Sequence, residues 1–126
     1  NLGGINSFQA LSVKSGILKK KKKNEESDLI MKQAVDNANT MELHQYGRQL
    51  LNEKKVNEAM TVFEKNYIKN KGAWPTNVGM MRAHSALGNI KKALEFAREA
   101  LKQAPDDINK KNLENAIKTL ESGKAL

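Results

Sequence analysis

Ile108, Leu113, Ala116, Ile117 and Leu120 line one expected helix face along Asp107–Ser122, and Lys110, Lys111, Glu114 and Lys118 fall elsewhere. That pattern predicts an amphipathic helix with a core-facing stripe. No stretch sustains the apolar/polar alternation of a strand, and the chain has only two prolines, Pro75 and Pro105. Helix punctuation marks the segment ends. Asn39 followed by Glu42 fits a reciprocal capping box, in which each side chain satisfies an orphan donor. Asn24 fits an N-cap ahead of Glu25, Glu26 and Asp28, acidic groups favourable at the positive end of a helix dipole. Pro75 suits a first helical position, and Gly88 suits a left-handed residue just past a helix end. Asp106 or Asp107 suits the cap of the last helix. These signals predict seven helices: Ser7–Lys21, Asn24–Asp36, Asn39–Asn52, Lys55–Lys69, Pro75–Leu87, Asn89–Gln103 and Asp107–Ser122. Their short connections predict antiparallel pairs.

The pairs repeat. A shift of 34 residues places Thr40 on Trp74, Leu50 on His84, Val56 on Ile90, Ala59 on Ala93 and Phe63 on Ala97. Small residues recur where paired helices must approach closely, as with Ser15, Ser27, Gly47, Ala59 and Ala93, and larger apolar residues fill the seam. One such pair cannot bury its own apolar face, so the pairs must stack. The predicted repeats run over about residues 8–39, 40–73 and 74–106, followed by a capping helix at about 107–122. The whole chain, 1–126, is expected to form one domain.

That period, with Leu43, Tyr46, Gly47, Leu50, Ala59 and Phe63 in one repeat and Gly88, Ala93, Ala97, Ala100 and Pro105 in the next, resembles the tetratricopeptide repeat. A weaker copy places Leu11, Ser15, Leu18, Ser27, Met31 and Ala34 in the same slots. The resemblance implies an all-α, right-handed solenoid of three helix pairs plus the capping helix. The phrases LHQYGRQLLNEKKVNEAMTVFEKN, WPTNVGMMRAHSALGNIKKALEFAREALKQAPD and NKKNLENAIKTLESGK are also similar to the C-terminal helical part of an exported bacterial family of unknown function with an N-terminal β-rich domain. That narrower resemblance implies a periplasmic or secreted setting and no assigned activity.

Charge changes the picture at one place. The first 23 residues carry six basic side chains, Lys14 and the run Lys19–Lys23, and no acidic one, so they supply six of the eight net positive charges. The basic pI is therefore a local property. The run falls at a helix end and the following turn, where cations are favourable, and no stacking aromatic interleaves it. It reads as a solubilising turn first and as a salt-sensitive binder of anionic surfaces second, with nucleic acid disfavoured. Apolar residues make up 39% and charged residues 29%, the balance of a globular chain. No apolar run approaches the ~20 residues of a membrane helix. With no cysteine, disulfides and thiolate sites are excluded. The start NLGGINSF carries no basic n-region or apolar h-region and reads as a processed form or a fragment.

In proteins of the resembled class, the first helices of successive pairs line a concave groove. The groove slots here hold Gln9, Ser12, Val13, Gly16, Lys19 and Lys20; then Met41, His44, Gln45, Arg48, Leu51 and Asn52; then Pro75, Val78, Gly79, Arg82, Ser85 and Ala86. Arg48 and Arg82 occupy the same slot in successive repeats and form an expected ladder of forked donors for a carboxylate or phosphate. His44 lies one turn before Arg48 on the same face. The expected partner-binding residues are Arg48, Arg82, His44, Gln45, Asn52, Lys19 and Ser85. The two-carboxylate clamp by which some relatives hold chaperone tails needs Lys, Asn, Asn, Lys and Arg where this chain has Ser12, Gly16, Gln45, Pro75 and Gly79, so that mode is rejected. Catalysis has no support. His44 and His84 lack acidic partners at metal-ligand spacing, and there is no phosphate loop or nucleophile elbow. His84 sits at an apolar slot and is expected to be a packed core histidine.

The expected function is a non-enzymatic interaction module that holds a protein or peptide, acidic in character, without cofactor or metal. The alternatives are electrostatic binding through Lys19–Lys23, and a structural appendage of a larger protein with no ligand of its own.

Overall fold

The computed structural model describes Phe8, Leu11, Ser12 and residues 24–126, and every regular element among them is an α-helix. The helices are α1 (Asn24–Asn37), α2 (Thr40–Asn52), α3 (Val56–Lys69), α4 (Trp74–Ala86), α5 (Ile90–Gln103) and α6 (Asp107–Glu121). Phe8, Leu11 and Ser12 are helical. The remainder of the expected first helix lies outside the described residues, with Gln9, Val13, Gly16 and the Lys19–Lys23 run, as do the side chains around the expected Asn24 cap. The chain divides into two compact units, Asn1–Glu42 and Leu43–Leu126.

In the first unit, α1 buries Ser27 and Ala34 completely, and Leu11 and Ala38 are also buried. The capping box forms as expected. The Asn39 N–H donates to Glu42 Oε1 at 3.0 Å, and the Glu42 N–H donates to Asn39 Oδ1 at 2.9 Å. Two orphan donors at the start of α2 are thereby satisfied within the sequence segment that predicted it.

In the second unit the repeat is written into the turns. After α2, the Lys54 N–H bonds the Leu51 carbonyl (2.9 Å) and the Lys55 N–H bonds that of Leu50 (2.8 Å). After α4, 34 residues on, Gly88 bonds Ser85 (3.0 Å) and Asn89 bonds His84 (2.8 Å) in the same way. Both turn residues are left-handed, with φ of 63° at Lys54 and 81° at Gly88. The closure needs that conformation, which glycine adopts freely and lysine does not. The end of α6 has the same pattern. Gly123 bonds Leu120 (2.9 Å) and Lys124 bonds Thr119 (3.3 Å).

Phe63 of α3 has no exposed surface. Its ring fills a slot between Gly47 of α2 and Gly79 of α4. A Cβ at Gly47 would stand 2.5 Å from ring carbons, and one at Gly79 would collide with the same ring. Gly47 fills the close-approach slot expected of it. Gly79 and Val78 occupy slots expected to face a groove, but Gly79 is closed over by Phe63 and Val78 is part of the core.

Beyond this slot, α3 packs on α4, α4 on α5 and α5 on α6. Ala93, Ala97 and Ala100 form a stripe on α5 with no exposed surface, and Met81, Leu113 and Leu120 pack into the same core. Small side chains along one helix let its neighbours approach closely, so apolar surface leaves water with little void. Ser27, Ala59 and Ala93, equivalent in the repeat frame, are all completely buried.

Part of the buried polarity is resolved by pairing. Asn77, 4% exposed in a slot that is ordinarily apolar, donates to Gln103 Oε1 at 2.7 Å. Gln103 in turn donates to the Gly72 carbonyl. One side-chain bridge thus ties α4, the end of α5 and the α3–α4 turn. Asp106 caps α6 by accepting the Asn109 N–H at 2.8 Å, and Asp107 lies in the first turn. Pro75 is the second residue of α4, which starts at Trp74 behind an Ala73 cap. One expected core residue of α6 is not buried: Ile108 is 75% exposed. At 3.6 residues per turn, its separation of five residues from Leu113 rotates it well off the Leu113–Leu120 stripe.

Two stability changes follow. Gly79→Ala should destabilise the chain by about 1–3 kcal/mol through overpacking against Phe63, despite the gain in helix propensity. Combining it with Phe63→Leu should recover part of that loss, and urea midpoints of the single and double variants check the coupling. Lys54→Gly should stabilise by about 0.5–1 kcal/mol, because left-handed backbone is costly for lysine. An unchanged or lowered midpoint would show that the turn carries no strain.

Candidate functional site

Three basic residues of α2 and α4 converge in the second unit. Arg48 and Arg82 lie 34 residues apart, so repetition brings the same slot of two first helices onto one surface. His44 precedes Arg48 by one helical turn. Arg48 is exposed, Arg82 is half-buried and His44 is 8% exposed. The His44 ring rests against Phe63, with centroids 5.9 Å apart and planes tilted by 54°. The ring that locks the two glycines therefore also shields this imidazole from water.

The charges of these groups act on one another. The His44 pKa is pushed down from 6.5 to about 4, first by burial and then by the positive charges of Arg48 and Arg82. A hydrogen bond to the Pro75 backbone, which offers only a carbonyl, pulls the other way. Arg82 is itself held below its ordinary range by burial and then by Arg48. No carboxylate is among the groups that shift either side chain. His44 Nδ1 and Arg82 Nε are buried without a hydrogen-bond partner. Each such group costs about 1–3 kcal/mol relative to a satisfied one. Among the described residues the cluster is thus uncompensated: like charges repel, and polar atoms are desolvated without partners.

The other expected groove residues are placed differently. Gln45 and Asn52 are exposed on α2. Ser85 is 2% exposed, and its Oγ accepts the Leu126 N–H at 2.7 Å. It is covered by the segment after α6, a long-range contact that helical spacing does not signal. Lys19 lies outside the described residues. His84 is not the core histidine expected: it is half-buried, its ring covered on one face by Phe96. Its ring stacks on Phe96 at 5.6 Å and 7°, and Tyr67 meets the other ring of that pair edge-on at 5.6 Å. Burial, followed by the charge of Lys92, holds the His84 pKa below its ordinary value. Among the described residues, no group of three His, Asp or Glu side chains is placed to hold a metal ion. No described helix is long and apolar enough to cross a membrane.

The family model for the tetratricopeptide repeat matches residues 82–107, from Arg82 through α5 to the start of α6. Neither curated proteins nor solved structures give a match. With its all-helical repeat architecture, the match makes the chain tetratricopeptide-like, and repeats of this class generally mediate protein–protein interactions.

The depressed His44 pKa has a thermal and chemical consequence. Below pH 6.5 the unfolded chain takes up a proton at this position, and the folded chain does not until about pH 4. Unfolding then binds protons, so stability is fully present above pH 6.5 and is lost as pH falls towards 4. After allowance for solvent screening, the loss should be about 1–2 kcal/mol. Urea midpoints of wild type and His44→Gln across this range isolate it from the carboxylates. Parallel pH profiles would rule out a desolvated imidazole.

Proposed function

We propose that the chain is a non-enzymatic interaction module that holds a peptide or an extended partner segment along the face of α2 and α4. The observation that carries this reading is the convergence of Arg48, Arg82 and His44, with His44 Nδ1 and Arg82 Nε buried and unpartnered and no compensating acid among the described residues. A protein that only needed to fold would gain by placing a carboxylate there or by turning the half-buried Arg82 guanidinium into water. Exposed Gln45 and Asn52 extend the same helix face with neutral donors and acceptors. Repeat proteins of this type present the first helix of each pair along one surface, which suits a segment running across several repeats. Resemblance to the exported bacterial family adds a periplasmic or secreted setting to this reading.

The test is a cross-linked pull-down from extract of the source cell at physiological salt, comparing wild type with Arg48→Glu/Arg82→Glu. A partner captured by wild type and lost from the variant is the expected result, with circular dichroism confirming that both are folded. Equal capture would move binding to the Lys19–Lys23 run or another face. No capture by either folded protein would favour a structural appendage.

A further inference from the structure

The groups that face His44 come from three helices: Arg48 from α2 itself, the Phe63 ring from α3, and Arg82 with the Pro75 backbone from α4. Two of these are cations, one is an apolar ring and one is a backbone group; none is acidic. An anion placed between the guanidinium groups would relieve their mutual repulsion and supply an acceptor to the unpartnered Arg82 Nε–H. The same negative charge would offset the arginine charges that, after burial, disfavour a proton on His44. The ring could then carry a proton and donate through Nδ1, which is buried and unpartnered in the free chain.

We propose that Arg48, Arg82 and His44 form an oxyanion site that takes a carboxylate or phosphate group of a peptide partner, with His44 gaining a proton as the anion binds. This rests on the partner-binding reading of the α2–α4 face and specifies its chemistry. Exposed Arg48 meets the incoming group first, and half-buried Arg82 holds it where water competes less. The carboxylate and phosphate sources differ in their own protonation. A glutamate side chain stays ionised well below neutral pH, so its binding strengthens as His44 becomes easier to protonate. A phosphoserine loses its second charge near pH 6, which opposes that gain.

The test is fluorescence anisotropy on the full chain with Lys19–Lys23 replaced by Gln, so that the basic run cannot attract the probes. The probes are three labelled peptides of equal length: a Glu-Ala repeat, a Gln-Ala repeat, and a Ser-Ala repeat carrying one phosphoserine. At least one anionic peptide should bind about tenfold tighter than the Gln-Ala peptide. Arg82→Gln should remove the difference, and Arg48→Gln, at an exposed position, should weaken it without disturbing folding. Preference for the Glu-Ala or the phosphoserine peptide identifies the source. The His44 imidazole resonances, followed by NMR, should titrate at higher pH with the preferred peptide bound. Equal binding of all three peptides, or anion binding unchanged in both arginine variants, overturns the oxyanion site. Anion-selective binding with an unmoved His44 titration overturns the proton uptake. If these fail while Arg48→Glu/Arg82→Glu still loses its partner in the pull-down, the partner-binding reading stands and its assigned chemistry is wrong.

Discussion

The second unit is organised around one aromatic ring held between two glycines. Phe63 lies where no Cβ can be tolerated at either Gly47 or Gly79, so three helices are fixed to one another by a single side chain. A large ring buried completely contributes a few kcal/mol, and its removal would leave a cavity flanked by helices that have no side chains there to fill it. The spacing of α2 and α4 is set by this contact. That spacing decides whether Arg48 and Arg82 stand close enough to repel each other, and it decides how much of His44 is hidden from water.

Core and candidate site are therefore one physical object. In a region designed only for stability, buried polar atoms find partners, as Asn77 does with Gln103 and the Thr76 hydroxyl does with the Ala73 carbonyl. A few residues away, His44 Nδ1 and Arg82 Nε do not. The contrast matters more than either fact alone. The fold satisfies Thr76, Asn77 and Ser85 along α4, yet leaves Trp74 Nε1 at its start and the cationic cluster without partners. Local violations of otherwise consistent packing concentrate where a protein has work to do, because the cost is recovered when a ligand arrives.

Features specified by neighbours in the chain were legible in the sequence. Asn39 and Glu42 are three residues apart and form the reciprocal bonds that this spacing implies. Gly88 sits at the left-handed turn it was expected to make, and Ala59 and Ala93 are the completely buried small residues of the repeat. The positions of Arg48 and Arg82 follow from the period alone. Features specified by residues far along the chain were not legible. Gly79 looks like a groove residue until Phe63 is seen against it, and Ser85 looks open until Leu126 is seen bonded to it. His44 could be placed on the right face by helical spacing, but its neutrality depends on desolvation beside Phe63, which no local pattern encodes.

Lys54 brings these two kinds of information together. Its local preference is against a left-handed backbone, and nothing adjacent to it announces a turn. It adopts that conformation because the turn at Gly88 and the end of α6 at Gly123 define one closure that the repeat imposes at each first-helix end. Stacking in register requires each pair to fold back through the same geometry, so tertiary packing overrides the lysine's own preference. The same stacking places Arg48 and Arg82 on equivalent slots and brings their like charges together. Strain in the turn and repulsion on the α2–α4 face thus have a common origin. Repetition repeats backbone geometry faithfully, and the side chains must live with the neighbours it gives them.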